Sequence, residues 1–176
     1  YGVDAGHGDN NTAVGKYAIF HILGDNTTAI GNEAGYYASG SSNTFVGSEA
    51  GKGGTTSAPY SSGEKNVAIG YQALTNFATG ERVVAVGYNA GASLTTGGQS
   101  VFIGHNAGDA ITDNYRNIAI GDNALSEDAD DDNIAVGFFA LKALAGGGSG
   151  NIGIGTRAGE TLTTGVRNIA IGWRTM

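Results

Sequence analysis

The sequence predicts an all-β chain: a parallel β-solenoid of about ten rungs, 16–18 residues each, running through 1–176 as a single domain. Three observations predict it. "NIAIG" stands at Asn117–Gly121 and again at Asn168–Gly172, with near-copies along the whole chain. The glycines that close these copies are Gly15, Gly31, Gly47, Gly70, Gly87, Gly104, Gly121, Gly137, Gly155 and Gly172, separated by 16, 16, 23, 17, 17, 17, 16, 18 and 17 residues. Gly is the commonest residue at 32 of 176, and the apolar content leans on Ala, Val and Ile, which suits thin, tightly wound β structure better than helical packing.

With the closing Gly as position zero, each rung is read in order. Seven residues before it stands Gly8, Gly24, Gly40, Gly63, Gly80, Gly97, Gly148 or Gly165, with Asn114 and Asp130 as substitutes. These residue types tolerate positive φ, so the column predicts a tight turn on a left-handed residue. Four before the Gly is Asn in seven copies, from Asn11 to Asn168, and stacked amides can form a hydrogen-bonded ladder. A short strand follows. Its outer two columns are Thr, Val or Ile and lie on one face, while the column between is mostly Ala, with Phe45, Phe102 and Gly153 as exceptions. A strand apolar on both sides expects cover on both sides. Three after the Gly, Ala fills nine copies from Ala18 to Ala158, so the chain turns there against something that leaves no room. A second short extended piece and a variable bend complete the rung. At roughly 4.8 Å per rung the rod is about 50 Å long.

The remaining composition narrows the function. The net charge of −7 argues against nucleic acid, because phosphate binding needs a basic stripe. No run of roughly eighteen apolar residues is present, so nothing is expected to insert directly into a membrane. Cys is absent, which excludes disulfides and thiolate metal sites.

The string N-x-[AF]-[IV]-G-x-x-A-[GL], as in "NTFVGSEAG" (Asn43–Gly51), "NVAIGYQAL" (Asn66–Leu74) and "NIAIGDNAL" (Asn117–Leu125), resembles the head repeat of trimeric autotransporter adhesins of the YadA type, and runs in bacteriophage tail fibres. The resemblance covers essentially the whole chain. It implies a left-handed parallel β-roll, a homotrimer and a role in attachment. The rungs here are longer than those of such heads, and no coiled-coil stalk or membrane anchor is recognised in the sequence. "GVDAG" (Gly2–Gly6) fits the segment after the zero Gly, with Ala5 in the Ala column, whereas "NIAIGWRTM" carries the strand and stops soon after it. One end therefore offers what the other lacks, and head-to-tail polymerisation is expected if these are the mature ends.

Few side chains stand out from the repeat as candidates for chemistry. Asp128, Asp130 and Asp132 alternate like the opening of a calcium loop, but Asn133 and Phe139 stand where its Gly and Glu belong, so a solvated acidic bend is the preferred reading. His7, His21 and His105 share no ligand spacing. G-x-S-x-G does not occur, and no cofactor or catalytic constellation is read from the columns. An insertion at about 52–62 lengthens one rung and contains the only Pro, Pro59, followed by Tyr60; loops on rigid scaffolds often carry binding. Tyr71, Tyr88, Phe138 and Trp173 share the position after the zero Gly. Together with Phe45, Phe102, Pro59 and Tyr60 they are the expected partner contacts.

These readings converge on a non-enzymatic extracellular, cell-surface or virion fibre subunit that associates with itself through apolar solenoid faces. The alternative is an adhesin head or tail-fibre domain that recognises a host receptor or glycan.

Overall fold

A computed structural model describes residues 8–21, 24–55, 57 and 60–176. The half-rung expected at Gly2–Gly6, His7 and Pro59 lie outside the described residues. Ten three-residue strands follow one another: β1 (Thr12–Val14), β2 (Thr28–Ile30), β3 (Thr44–Val46), β4 (Val67–Ile69), β5 (Val84–Val86), β6 (Val101–Ile103), β7 (Ile118–Ile120), β8 (Ile134–Val136), β9 (Ile152–Ile154) and β10 (Ile169–Ile171). They form one sheet in chain order, and every neighbour is parallel and in register one repeat away. Ala68, for example, opposes Ala85, and Ile69 opposes Val86. The chain is the predicted parallel β-solenoid.

The interior is thin. The middle residue of each strand from β2 to β10 is buried, as at Ala29, Phe45, Ala68 and Phe102, while Ala13 of the terminal strand β1 is exposed; the Ala column three after the Gly is buried beside it. Phe77, Leu94, Ile111 and Leu144, each seven after a zero Gly, supply the larger buried side chains opposite. Residue sizes on neighbouring rungs are matched. A Cβ on Gly91 would meet Phe102 at 2.7 Å and one on Gly108 would meet it at 2.4 Å, so a single ring fills two rungs. Leu141 likewise occupies the space that Gly153 and Gly159 leave open. Close packing of this kind conserves volume locally, with Phe and two glycines standing where other rungs place Ala and Leu.

Two expectations about the rung change. The second extended piece is not a strand; the residues after each zero Gly are turns. The glycines seven before zero are not the left-handed residues, since of that column only Gly165 has positive φ, at 122°. They are required for room. A Cβ on Gly24 would lie 2.4 Å from the Gly40 carbonyl oxygen, and one on Gly63 would lie 2.0 Å from that of Gly80. The left-handed turn residue comes two places later and is mostly not glycine, as at Lys65 (φ 59°), Arg82 (57°), Gln99 (55°) and Arg116 (58°).

Such residues make the backbone accounting close. A single left-handed residue turns its N–H along the rod axis. Asn89 N donates to Tyr71 O of the preceding rung at 3.0 Å, and Leu74 N donates to Ala90 O of the following rung at 2.9 Å. The Asn column is also a ladder, but mainly from backbone to side chain. Asn66 N donates to Asn43 Oδ1 at 2.9 Å, Val83 N to Asn66 Oδ1 at 3.0 Å and Asn133 N to Asn117 Oδ1 at 2.9 Å. Most of these amides then donate to a corner carbonyl, as Asn43 Nδ2 does to Gly40 O and Gly63 O at 3.0 Å, whereas Asn117 Nδ2 is buried without a partner. Among the described residues no helix is long and apolar enough to cross a membrane.

Candidate functional site

Because successive side chains of a strand alternate, burying the middle column turns the other two outward. The outer face of the sheet is a strip of Thr, Val and Ile with no charged residue in any of the ten strands. Ile30, Ile69, Ile103, Ile120 and Ile154 form one row along it and are each 36–41% exposed. Parallel sheets are normally covered on both faces, and here no described residue covers the outer face, whose Ile row stays partly exposed.

Beside the strip runs the position after the zero Gly. Tyr71 stacks on Tyr88 with centroids 5.5 Å apart, and Tyr88 stacks on His105 at 5.1 Å. The column then breaks at Asp122, whose Oδ1 lies 3.6 Å from His105 Nδ1. Phe138 belongs to a different group, stacked on Phe139 at 3.9 Å with the Arg157 guanidinium above it, and Trp173 is paired with Arg174. His105 joins this column although the sequence gives it no place among the expected partner contacts. Two of the expected contacts are corrected: Phe45 and Phe102 are fully buried core residues and meet no partner in this fold. Tyr60 folds back on His21 at 4.7 Å and on Tyr37 at 6.0 Å.

The acidic bend does not converge. Asp128 accepts from Thr112 N at 3.1 Å, Asp130 from Gly147 N at 3.0 Å, and Asp132 from Arg116 Nε at 2.6 Å. Asp128 and Asp132 tie their rung to the preceding one and Asp130 to the following one, and no group of three or more acidic or His side chains able to hold a metal occurs among the described residues. The guanidinium of Arg116 hydrogen-bonds Asp132 and holds its carboxyl below the ordinary value.

A further column, two after the zero Gly, was not recognised in the sequence. It reads Glu33, Glu49, Gln72, Asn89, Asn106 and Asn123 on successive rungs, all left-handed and all bearing planar polar groups. Gln72 Nε2 donates to Glu49 Oε2 at 3.2 Å. Lys52 Nζ lies 2.7 Å from Glu33 and 3.7 Å from Glu49, and its hydrogen bond to Glu33, opposed by partial burial, raises the ammonium above its usual value. A cleft of about 410 Å³ opens over this ladder, lined among others by Tyr37, Glu49, Lys52, Gln72, Asn76 and Asn89. The long rung makes one side of it. Its excursion is shorter than the expected 52–62, because Thr55 N donates to Ser61 Oγ at 3.1 Å and Ser61 is already bridged in parallel to Ala38.

Comparisons with protein-family models, with curated proteins and with solved structures found no match to this chain.

Proposed function

We propose that the chain is a non-enzymatic structural rod, a fibre subunit outside the cell or on a virion, whose copies pack side by side through the outer sheet face. The observation that carries this reading is the uncharged Val/Ile strip along all ten strands. Nine spacings of about 4.8 Å and a width of about 10 Å give roughly 430 Å². A standard interface takes about 800 Å² from each partner, so the strip alone falls short of one stable dimer interface. The stacked Tyr71–Tyr88–His105 column beside the strip extends the surface that a neighbouring copy can cover. The resemblance to trimeric adhesin heads points to the same arrangement, as does the cost of leaving such a ladder in water.

The test is the oligomeric state of the Ile103→Lys/Ile120→Lys double variant. Both side chains project outward, so the monomer fold should persist while two desolvated ammonium groups oppose docking. In sedimentation velocity the unmodified chain should run as a discrete oligomer and the variant as a monomer with an unchanged far-ultraviolet spectrum. A monomeric unmodified chain at all concentrations, or an oligomeric variant, would contradict the proposal.

A further inference from the structure

We infer that the cleft over the Glu49–Gln72–Asn89 ladder is a binding site for a neutral oligosaccharide lying along the rod axis. The inference is independent of side-by-side assembly, since the cleft is formed by turn residues rather than by the outer strip.

Four features of the cleft specify the class of ligand. Its volume, about 410 Å³, falls within the roughly 300–1,000 Å³ of small-ligand sites. Its groups are planar carboxylate and carboxamide, the side chains that pair with adjacent hydroxyls through more than one hydrogen bond. They recur once per rung, at about 4.8 Å, a spacing close to the length of one pyranose residue. Tyr37 adds an aromatic wall whose orientation is set by its stacking on His21, 5.5 Å away with nearly parallel planes, and such a ring can pack on the C–H face of a sugar.

Two details refine the assignment. Gly53 and Gly54 line the cleft without side chains, and neither has room for a Cβ, which would come within 2.7 Å of Ser61 Oγ or 2.4 Å of Asn76 O respectively. The backbone therefore packs closely against Ser61 and Asn76 at this wall of the cleft. Asn89 Oδ1 is buried with no hydrogen-bond partner within the protein, a feature it shares with Asn106 Oδ1 one rung on. The local charge excludes acidic sugars. Lys52 is engaged by both Glu33 and Glu49, which leaves the site net negative on a chain of net charge −7, and a carboxylate or sulfate would be repelled.

The experiment uses isotope-labelled full chain and nuclear magnetic resonance titration with β-linked glucose and N-acetylglucosamine oligomers of two to four units, with sialyllactose and a heparin disaccharide as acidic probes. A neutral oligomer should produce saturable shifts at Tyr37, Gln72, Asn76 and Asn89, tightening with chain length. Asn76→Ala and Glu49→Gln, each checked for an unchanged spectrum elsewhere, should weaken binding at least tenfold. Absence of saturable shifts with every neutral oligomer overturns the proposal, as do shifts confined to other residues. Equal or stronger binding of an acidic probe at the cleft overturns the ligand class, and undiminished binding by both variants overturns the assigned contacts.

Discussion

Gly104 and Gln99, five residues apart, both have positive φ, yet they answer to different physics. At Gly104 the backbone is at φ 136° and a Cβ would sit 2.5 Å from the Gly121 carbonyl oxygen. Conformation and space both forbid a side chain there. Gly104→Ala should cost about 2–5 kcal/mol of stability by chemical denaturation. Gln99 is exposed at φ 55°, where an L-residue is strained by about 1–2 kcal/mol. Gln99→Gly relieves that strain at the expense of a more flexible unfolded chain, so it should be neutral or stabilising by up to about 1 kcal/mol. A marked loss of stability in Gln99→Gly, or none in Gly104→Ala, would count against the corner geometry described above. Arg116 offers a check through pH. Because it depresses the folded-state value of Asp132, its contribution is present above the ordinary carboxylate range and is lost as pH falls through the depressed value. The difference in melting temperature between the unmodified chain and Arg116→Ala should therefore shrink to nothing in strong acid and be diminished by salt.

Each rung is one strand plus a chain of left-handed turns, and its core is tuned by pairs of sizes. Phe102→Ala alone should cost about 3–5 kcal/mol, because it empties space shared with Gly91 and Gly108. Adding Gly108→Leu should restore much of this. Leu74, Leu125 and Leu141 already occupy that position on other rungs with φ of 53°, 50° and 48°, so the double variant should show a coupling energy of about 2 kcal/mol in a mutant cycle; strict additivity would contradict the pairing. The long rung gives a second test. Thr55 and Ser61 meet at the neck of the excursion, so removing residues 55–60 should rejoin Gly54 to Ser61 as a rung of ordinary length. The shortened chain should keep its fold by circular dichroism and lose the Tyr60 stack on His21 and Tyr37 and the Thr55–Ser61 hydrogen bond. A global loss of structure would mean that the insert is integral to the stack.

The strands, their register and the Ala wall were legible because each depends on one residue type repeated at one phase. The corner glycines were legible as glycines but not for their reason, since glycine serves both handedness and close approach. The true left-handed positions escaped notice because Lys65, Arg82 and Gln99 carry no compositional mark of it. The planar-group ladder escaped for a related reason: Glu49, Gln72 and Asn89 share geometry but not identity. The cleft needed the closure of the 55–60 excursion against Ser61, which is a long-range contact. Phe45 and Phe102 were misassigned to the surface because alternation specifies two faces without saying which one is inside; the matching glycines at 51 and 108 hold that information.

The whole rod is a one-dimensional stack in which each rung touches only its neighbours, so its stability is a sum of rung and interface contributions. The same regularity that satisfies the backbone inside leaves the apolar strip outside in a continuous row, and the proposed assembly follows from that single fact. Everything here depends on the ten coils lying in register. Spin labels test it directly, since the chain contains no cysteine to interfere with site-specific labelling. With cysteine introduced at Val14 and, in turn, at Ile103, Ile120, Val136 and Ile154, and with labelled chains diluted in unlabelled ones, pulsed dipolar resonance should give mean distances of roughly 24, 29, 34 and 38 Å, one step of about 4.8 Å per rung. Distances that fail to rise in equal steps along this series would contradict the in-register solenoid and everything derived from it.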